Sequence, residues 1–212
     1  MKIIDCILDF LFPNECPRCQ KILPHKQFWC DECLQETIAI HPTKISASLA
    51  ISKYRGGTRK LITDLKYNQR KSRIKMIEML LEHAFESSAQ LRKFLDTKNL
   101  LAIPVPLHPE RQKLRGFNQS ELIFRNWLKL HGVEMRCLLR RVIETEPSFK
   151  LNVEERMKNI SGAFEIDGDV NGKSILLVDD ILTTGMTVME CSRILKLGGA
   201  KSIRVLVLAS DY

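Results

Sequence analysis

The sequence predicts an α/β fold in which a doubly wound parallel sheet is flanked by helices, with a small cysteine-rich module in front of it. Apolar runs at 174–179 and 202–209 enclose an amphipathic helix at 186–197 that ends at two glycines. The short loops between these elements are typical of a right-handed parallel unit. Two CxxC pairs fall within the first 33 residues, ahead of the first predicted strand. We therefore expect a module at 1–40 and an α/β domain at 41–212.

Apolar periodicity and turn residues predict the remaining elements. In chain order they are a helix at 3–12, a strand at 46–54, a basic helix after the Gly-Gly-Thr turn at 56–58, an amphipathic helix at about 70–95, a strand at 100–106, a helix at about 118–131 and a strand at 163–166. Pro13 ends the first helix, and prolines end the strand at 100–106. Asn118 and Glu121 have the spacing of an N-cap and a capping box. The segments 107–117 and 142–162 are expected to be loops.

Composition and charge favour a soluble cytoplasmic protein with an anionic partner. Hydrophobic residues make up 44% of the 212, as in ordinary globular proteins, and the net charge is +8. Seven cysteines, an odd number, argue against a secreted disulfide framework and for a reducing compartment. Asp5 and Asp9 interrupt the apolar N-terminus, which makes it a poor signal peptide. No apolar run is long enough to insert into a membrane.

The basic cluster, residues 53–75, carries nine Lys or Arg residues and one acid, Asp64, so its net charge of +8 equals that of the whole chain. Tyr54 and Tyr67 lie among these cations. This composition is typical of a groove that binds single-stranded nucleic acid, in which the bases stack on aromatic side chains and Lys or Arg contacts the phosphates. For any single lysine, a solvated helix face is the alternative. The candidate DNA-binding residues are Tyr54, Arg55, Arg59, Lys60, Tyr67, Arg70 and Lys71.

Two CxxC pairs provide four thiolates, the number that a closed tetrahedral structural zinc site needs. Ten residues separate the pairs, which is enough for a tight hairpin to bring them together. A redox CxxC is the alternative, but that motif is expected singly, at a helix start in a βαβ unit. The predicted zinc ligands are Cys16, Cys19, Cys30 and Cys33. The other three cysteines, Cys6, Cys137 and Cys191, are expected to be buried apolar residues.

The segment 175–187, ILLVDDILTTGMT, ends an apolar strand on two carboxylates and continues into a helix start. Ligands of parallel α/β sheets bind at such carboxyl ends of strands. Unpaired N–H groups at a helix start, with a glycine and threonine hydroxyls, suit a phosphate, whereas the carboxylates suit hydroxyl groups or Mg²⁺. A phosphorylated ribose offers both, and the alternatives are a plain Mg²⁺ site and a simple helix cap. The candidate ligand-binding residues are Asp179, Asp180, Thr183, Thr184, Gly185, Met186 and Thr187.

The same segment resembles the 5-phosphoribosyl-1-pyrophosphate (PRPP) loop of type I phosphoribosyltransferases. The whole chain is similar to the ComF/ComFC family of competence proteins, through the cysteine module followed by LITDLKY, IPVPLHPERQKLRGFNQSE and ERMKNISGAFEI. This resemblance implies a type I phosphoribosyltransferase-like fold and a role in handling single-stranded DNA during natural transformation. It also implies that Asp179 and Asp180 contact ribose hydroxyls, and that residues 183–187 bind the 5′-phosphate.

The loop at 107–117 continues from the segment PVPLHP at 104–109, which is placed like the pyrophosphate loop of that fold. Its cations suit a pyrophosphate or a DNA backbone. A solvated basic loop is the alternative. The candidate residues are Lys66, Pro106, Leu107, His108, Arg111, Lys113 and Arg115.

Three functional hypotheses remain at this stage. The first is a competence protein that binds and handles single-stranded DNA and has a site for PRPP or a ribose phosphate. The alternative is an active Mg²⁺-dependent phosphoribosyltransferase that acts on an unidentified acceptor. It has no identified catalytic residue, since His108 is open between a general base and a structural role. The third is a scaffold whose zinc module docks a helicase or channel component of the competence machinery.

Overall fold

A computed structural model describes residues 14–24, 27–68, 70–143 and 160–211, with Lys71 described by its backbone alone. The helix predicted at 3–12, and Cys6 within it, lie outside the described residues. From the N-terminus the elements are β1 (Asn14–Glu15), β2 (Ile22–Leu23), α1 (Asp31–Thr37), β3 (Ile38–Pro42), β4 (Ser48–Lys53), α2 (Gly56–Tyr67), a 3-10 turn (Lys71–Arg73), α3 (Ile74–Ser87), α4 (Ala89–Leu95), β5 (Leu100–Pro104), α5 (Pro109–Arg115), α6 (Gln119–Leu130), β6 (Glu134–Met135), β7 (Leu139–Arg141), β8 (Phe164–Ile166), β9 (Ser174–Leu182), α7 (Met186–Leu197) and β10 (Ser202–Ser210).

The central sheet has the strand order β3-β4-β10-β9-β5-β6, and its strands from β4 to β6 are parallel. Only the edge strand β3 departs from the predicted parallel sheet, because it runs antiparallel to β4. Residues 175–178 of β9 are all buried, as expected for a strand covered on both faces. The predicted α/β class is confirmed.

Helices cover both faces of this sheet, so the predicted doubly wound arrangement is also confirmed. On one face Leu176 and Val178 pack into a core with residues of α2, α3 and α6. On the other face Ile175 and Leu177 pack with residues of α7. The alternation of these four residues between two cores follows from the period of two of a β-strand.

The cysteine-rich module packs into the first of these cores. Trp29 is fully buried there, and its indole Nε1 donates a hydrogen bond to the carbonyl oxygen of Met76 in α3 at 2.8 Å. Strand β3 crosses the predicted boundary at residue 40 and joins the central sheet. The division into 1–40 and 41–212 therefore stays a prediction about the sequence, while the packing of Trp29 couples the two parts physically.

Two helix predictions need correction. The single helix predicted over 70–95 is divided into a turn, α3 and α4, because Ser88 takes an extended conformation and its hydroxyl oxygen caps α4 by accepting from the N–H of Leu91 at 3.1 Å. The predicted loop at 107–117 contains the short helix α5, which begins at Pro109 and ends at Gly116 with a φ of 78°. Pro109 and Gly116 are the signals that the loop prediction left unused.

Two local predictions are partly right. The strand predicted at 163–166 exists as β8, but it pairs with β7 in a separate two-stranded antiparallel sheet. Asn118 caps α6 as predicted, since its side-chain oxygen accepts from the N–H of Ser120 at 3.0 Å. Glu121 does not complete a capping box; its carboxylate accepts from the guanidinium of Arg125 at 2.7 Å. In the described part of the chain, none of the helices has the length and apolar character needed to span a bilayer.

Candidate functional site

The four cysteines of the module gather into one cluster. A turn after β1 presents Cys16 and Cys19, while Cys30 precedes α1 and Cys33 lies within it. The sulfur of Cys30 lies 3.7 Å from the sulfurs of both Cys16 and Cys19, and all four sulfurs lie within 4.8 Å of one another. A Zn–S bond of about 2.3 Å makes the edge of a ZnS₄ tetrahedron about 3.8 Å, whereas a disulfide would need about 2.05 Å. The geometry therefore fits zinc and excludes disulfides.

The pKa values of the clustered thiols differ because their surroundings differ. Burial acts to raise the pKa of Cys16, but hydrogen bonds from the backbone N–H groups of Cys19, Cys30 and Arg18 outweigh it and lower the pKa to about 6. Burial and the neighbouring thiols raise the pKa of Cys33 to about 12. Four close thiolates without a cation would repel one another, so a dication is the natural counter-charge for this donor set.

The two other described cysteines, Cys137 and Cys191, differ in burial. Cys191 is fully buried, as predicted, and burial raises its pKa well above the ordinary value. Cys137 is exposed and lies 3.7 Å from the guanidinium of Arg125, so the prediction of a buried apolar residue was wrong there. Residue 137 lies in the connection between β6 and β7, beside the polar side chain of Arg125 on α6.

A second site, the ligand pocket, encloses about 210 Å³ at the carboxyl ends of β5 and β9. It is lined by Lys66, Val105, Pro106, Leu107, Gln119, Arg141, Asp179, Asp180, Ile181, Thr183 and Thr187. Strand β9 continues to Leu182, so the two aspartates lie within its last four residues rather than after its end at 179. This is still the sheet edge where ligands of parallel α/β folds bind.

The two carboxylates have different environments. The hydroxyl of Ser120 donates to Asp179 Oδ1 at 2.7 Å, and the backbone N–H of Asp180 donates to the same oxygen at 2.9 Å. Burial and the adjacent charge of Asp180 nevertheless raise the pKa of Asp179 to about 7. Near neutral pH the Asp179 carboxyl is therefore protonated in a large fraction of molecules.

Asp180 is buried and ion-paired. Its Oδ2 contacts the ammonium group of Lys66 on α2, and its Oδ1 accepts from the side-chain amide of Gln119 at 3.3 Å. Desolvation acts to lower the pKa of Lys66, but the charge of Asp180 outweighs it, so the pKa lies above its ordinary value and Lys66 stays protonated. Lys66 was predicted to meet a pyrophosphate or a DNA backbone; here it meets a carboxylate.

Sequence reasoning missed Gln119, Ser120 and Arg141 as members of this site. Asn118 orients the first turn of α6 by donating to the carbonyl oxygen of Val105 at 2.9 Å, which places Gln119 and Ser120 at the aspartates. Arg115 contacts the side-chain oxygen of Gln119, and burial lowers its pKa. The motif around residue 118 was recognised, but adjacent polar residues at a helix start carry no signal that separates ligand contacts from capping.

The loop after β9 supplies the other half of the pocket. Thr183 and Thr184 are exposed, and Met186 and Thr187 form the first turn of α7. Gly185 is the N-cap residue of α7, and no side chain accepts from the helix there. The free N–H groups at this end of a twelve-residue helix carry partial positive charge toward the pocket rim. Whether these residues bind phosphate stays a prediction.

Replacing Gly185 with alanine should lower the free energy of unfolding. The φ of Gly185 is +80°, a conformation that costs a residue with a Cβ about 1–2 kcal/mol. An added Cβ would also lie 2.7 Å from Cδ1 of Ile45, which must then move. Urea unfolding measures the loss.

Gly116→Ala is the matched control, because Gly116 has a φ of +78° and no atom within 4 Å of an added Cβ. We expect Gly185→Ala to be the more destabilising of the two. Equal losses would show that contact with Ile45 is not what requires glycine at residue 185.

The other residues assigned to a pyrophosphate or DNA backbone differ in burial and in whether they line the ligand pocket. Pro106 and Leu107 line the ligand pocket, whereas His108 is the half-buried N-cap residue of α5 and is absent from the described lining. Arg111 and Lys113 are exposed on α5. None of these observations identifies a pyrophosphate contact, so that role stays a prediction.

Some cations of the basic cluster form ion pairs within the chain, so fewer are available to an external anion than the composition indicated. Arg73 donates to the carboxylate of Asp64 at 3.0 Å, and Arg70 lies 3.7 Å from the same carboxylate. Together with Lys66, three of the eight cations whose side chains the structure describes form ion pairs with acids of the same chain. Of the DNA-binding candidates, Arg55, Arg59 and the 75% exposed Tyr67 face solvent, Lys60 and Tyr54 are half-buried, and the side chain of Lys71 lies outside the described part.

Comparison with known proteins gives matches over most of the chain. A model of the phosphoribosyl transferase domain matches residues 132–211, and a model of the double zinc ribbon domain matches residues 7–44. The zinc ribbon match agrees with the four-sulfur geometry, and both support structural zinc. A hypoxanthine phosphoribosyltransferase from Staphylococcus aureus superposes with a TM-score of 0.41 at 17% identity, over 66% of this chain and 64% of that one.

Three curated proteins are similar in sequence. DNA utilization protein YhgH of Escherichia coli O157:H7 is 30% identical over 199 residues, which cover 90% of this chain and 81% of that protein. Competence protein ComFC of Streptococcus pneumoniae is 29% identical over 211 residues, covering 96% of this chain and 84% of that protein. Competence protein F of Haemophilus influenzae is 34% identical over 113 residues, or 50% of this chain and 48% of that protein.

Proposed function

The chain belongs to the family of DNA utilization protein YhgH and the competence proteins ComF and ComFC, and from this membership we propose that it handles single-stranded DNA during natural transformation. We further propose that its ligand pocket binds a ribose phosphate, either as PRPP or as part of a nucleotide. One observation carries this second part: two aspartates and the uncapped start of α7 border the same 210 Å³ pocket.

The electrostatics of the pocket support an anionic ligand beside two acids. Lys66 neutralises Asp180, and the raised pKa of Asp179, about 7, leaves it partly protonated near neutral pH. The pair therefore repels a phosphate less than two free carboxylates would. In the proposed pose the sugar hydroxyls donate to the aspartates, and the 5′-phosphate accepts from the N–H groups that begin α7.

Mg²⁺ fits this pocket only as a partner of PRPP. The metal prefers hard oxygen ligands, and a ligand phosphate would supply most of them. Within the described residues Asp179 Oδ2 has no recorded donor, whereas both oxygens of Asp180 have partners. Asp179 is therefore the residue that would contact Mg²⁺ brought in with PRPP.

An active phosphoribosyltransferase is the second candidate function, favoured by the family-model match at 132–211. In that case the pocket would hold the ribose while an acceptor displaces pyrophosphate. The chain's own contribution would be positioning of the sugar and phosphate. The acceptor stays unidentified, since the described pocket lining contains no feature that selects one base.

Replacing Asp179 with asparagine should weaken binding of ribose 5-phosphate at least tenfold. At pH 8, above the pKa of about 7 of the Asp179 carboxyl, a hydrogen bond to the charged group contributes about 1.5–3 kcal/mol, which corresponds to about 10–150-fold in affinity. Isothermal titration with ribose 5-phosphate, and with PRPP and Mg²⁺, measures the change. Asp167→Asn is the matched control, because Asp167 is an exposed acid outside the pocket lining.

Ribose 5-phosphate affinity that is equal in Asp179→Asn and in the control would overturn the ribose-phosphate site. Release of pyrophosphate from PRPP in the presence of a panel of nucleobases, lost in Asp179→Asn, would establish the transferase function. Binding without any release would leave ligand binding as the role of the pocket.

A further inference from the structure

A large recess lies at the amino ends of the parallel strands, at the opposite end of the sheet from the ligand pocket. It encloses about 1230 Å³. It opens where the parallel strands begin, at Leu100 of β5, Glu134 of β6, Ser174 of β9 and Lys201 before β10. Asp180 lies six residues along β9 from Ser174, a distance of roughly 20 Å along the strand. The recess is therefore a separate surface, and neither the zinc cluster nor the ligand pocket uses it.

Cations dominate the lining of this recess. It contains six basic residues and two acids: Arg92, Lys93, Lys98, Arg136, Lys173 and Lys201, with Asp96 and Glu134. Arg136 pairs with Glu134 at 3.1 Å, and Lys173 pairs with Asp169 at 3.0 Å. Across the described ranges no ion pair is recorded for the exposed Lys93, Lys98 and Lys201. The recess therefore keeps a net positive charge after its internal pairs are subtracted.

Arg92 adds a cation whose position is held by the fold. Its guanidinium donates to the carbonyl oxygens of Phe85 at 2.8 Å and Glu86 at 2.6 Å, at the end of α3. These bonds compensate backbone acceptors of the last turn, whose partial negative charge offsets part of the charge of Arg92, and no carboxylate is involved in them. The helix end thus presents a fixed positive charge to whatever enters the recess.

Size and shape indicate a polymer rather than a small molecule. Small-molecule pockets usually enclose about 300–1,000 Å³ and are mostly apolar, whereas this recess is larger, open and cationic. One wall carries Phe85 and His131, whose rings pack with centroids 3.9 Å apart. These rings pack on each other, so the cations are what suits the recess to the phosphate backbone of a single strand.

We propose that this recess binds a segment of single-stranded DNA, with Lys93, Lys98 and Lys201 contacting its phosphates. The inference rests on the proposed DNA-handling function and gives it a location. The basic cluster at 53–75 is the competing location. Among its eight cations whose side chains the structure describes, three pair with Asp64 or Asp180 and five do not, so charge alone does not decide between the two locations and the experiment compares them directly.

The test compares two triple charge reversals in the full chain. Lys93→Glu, Lys98→Glu and Lys201→Glu change the recess, and Arg55→Glu, Arg59→Glu and Lys60→Glu make the same charge change on α2. Fluorescence anisotropy with a labelled oligothymidylate is recorded from low to physiological salt. We expect the recess variant to bind at least tenfold more weakly than the α2 variant. Its salt slope should fall by about 2, since each phosphate contact contributes about 0.7 for a single strand.

Folding is controlled in two ways. The three recess lysines are exposed, so the recess variant should keep the melting temperature of the unchanged chain. The melting temperature of the α2 variant, which includes the half-buried Lys60, is measured beside it, and a neutral triple variant with glutamine tests the recess with a smaller perturbation. Ribose 5-phosphate affinity should be unchanged in the recess variants, because the ligand pocket lies roughly 20 Å away along β9.

Each outcome decides the proposal. Equal losses in the two triple variants would reduce the effect to net charge and overturn a defined site, and a loss in the α2 variant alone would overturn the recess while leaving DNA handling intact. Duplex DNA that binds as tightly as the single strand, or polyglutamate that competes equally well, would also overturn it. If the unchanged chain bound no oligonucleotide, the proposed DNA function would fail and the recess with it.

Discussion

Removing the zinc should unfold the cysteine-rich module and destabilise the sheet domain with it. Structural zinc sites contribute about 10–16 kcal/mol of apparent binding free energy in small peptides near pH 7. A module of fewer than about 40 residues buries too little surface to fold without such a site. Because Trp29 is fully buried in a core shared with α3, the loss spreads beyond the module.

The size of the effect can be bounded. If about half of the metal's contribution, roughly 5 kcal/mol, reaches the shared core, the melting temperature falls by about 10–20 °C for a chain of this length. Circular dichroism during heating, with and without a strong zinc chelator, measures the shift. Cys33→Ser should reproduce the effect of the chelator, because Cys33 supplies one of the four clustered sulfurs.

Cys137→Ser is the control for the cysteine substitution. Cys137 is exposed and lies outside the sulfur cluster, so its replacement should change neither zinc content nor melting temperature. A chelator that removes the zinc while the melting curve stays unchanged would contradict the structural role of the metal. It would also show that Trp29 keeps its place without an ordered module around it.

Local signals predicted the elements that depend on nearby residues. The strand predicted at 174–179, which extends to Leu182, the helix after Gly185 and the Asn118 cap each follow from periodicity or capping within a few positions. The break at Ser88 was missed because the apolar stripe continues through it on both sides. Strand β3 was not predicted, and its antiparallel pairing with β4 depends on partners elsewhere in the chain.

The ligand pocket also combines residues that one contiguous segment predicts with residues that only the packing of the chain brings together. The two aspartates and the threonine loop are contiguous, so their combination could be recognised in one segment. Ser120 and Gln119 reach Asp179 and Asp180 across 59 and 61 residues of chain, and Lys66 reaches Asp180 from another helix. Such pairings depend on how α2 and α6 pack on the sheet. A count of charges along the sequence cannot show these pairings, so Lys66 was predicted to bind an external anion.

Lys66→Met should cost about 3–5 kcal/mol of the free energy of unfolding, the usual loss when one partner of a buried ion pair is removed. The side chain of Asp180 is 4% exposed, and the substitution would leave it beside Asp179 with no neighbouring ammonium group. Urea unfolding at pH 8 measures the loss. Lys66→Met combined with Asp180→Asn should recover most of it, because the uncompensated charge is removed together with its partner.

An exposed pair provides the comparison. Arg140 and Glu165 lie 2.8 Å apart with side chains 63% and 51% exposed, so Arg140→Met should cost less than about 1 kcal/mol. A loss in Lys66→Met no larger than this would show that the Lys66–Asp180 pair is not a buried charge pair. A double variant as unstable as Lys66→Met would assign the loss to packing of the lysine chain rather than to its charge.

The loss in Lys66→Met should also depend on pH, with a definite sign. The pKa of Asp179 is about 7 in the folded protein, above the ordinary aspartate pKa of 3.8, so the folded state binds more protons between these values. Its contribution to stability is therefore complete below about pH 4 and is lost as the pH rises through 7. Without the Lys66 ammonium the carboxyl pair should hold protons to still higher pH. The variant should therefore lose less stability at pH 5 than at pH 8, and equal losses at the two pH values would contradict an electrostatic origin.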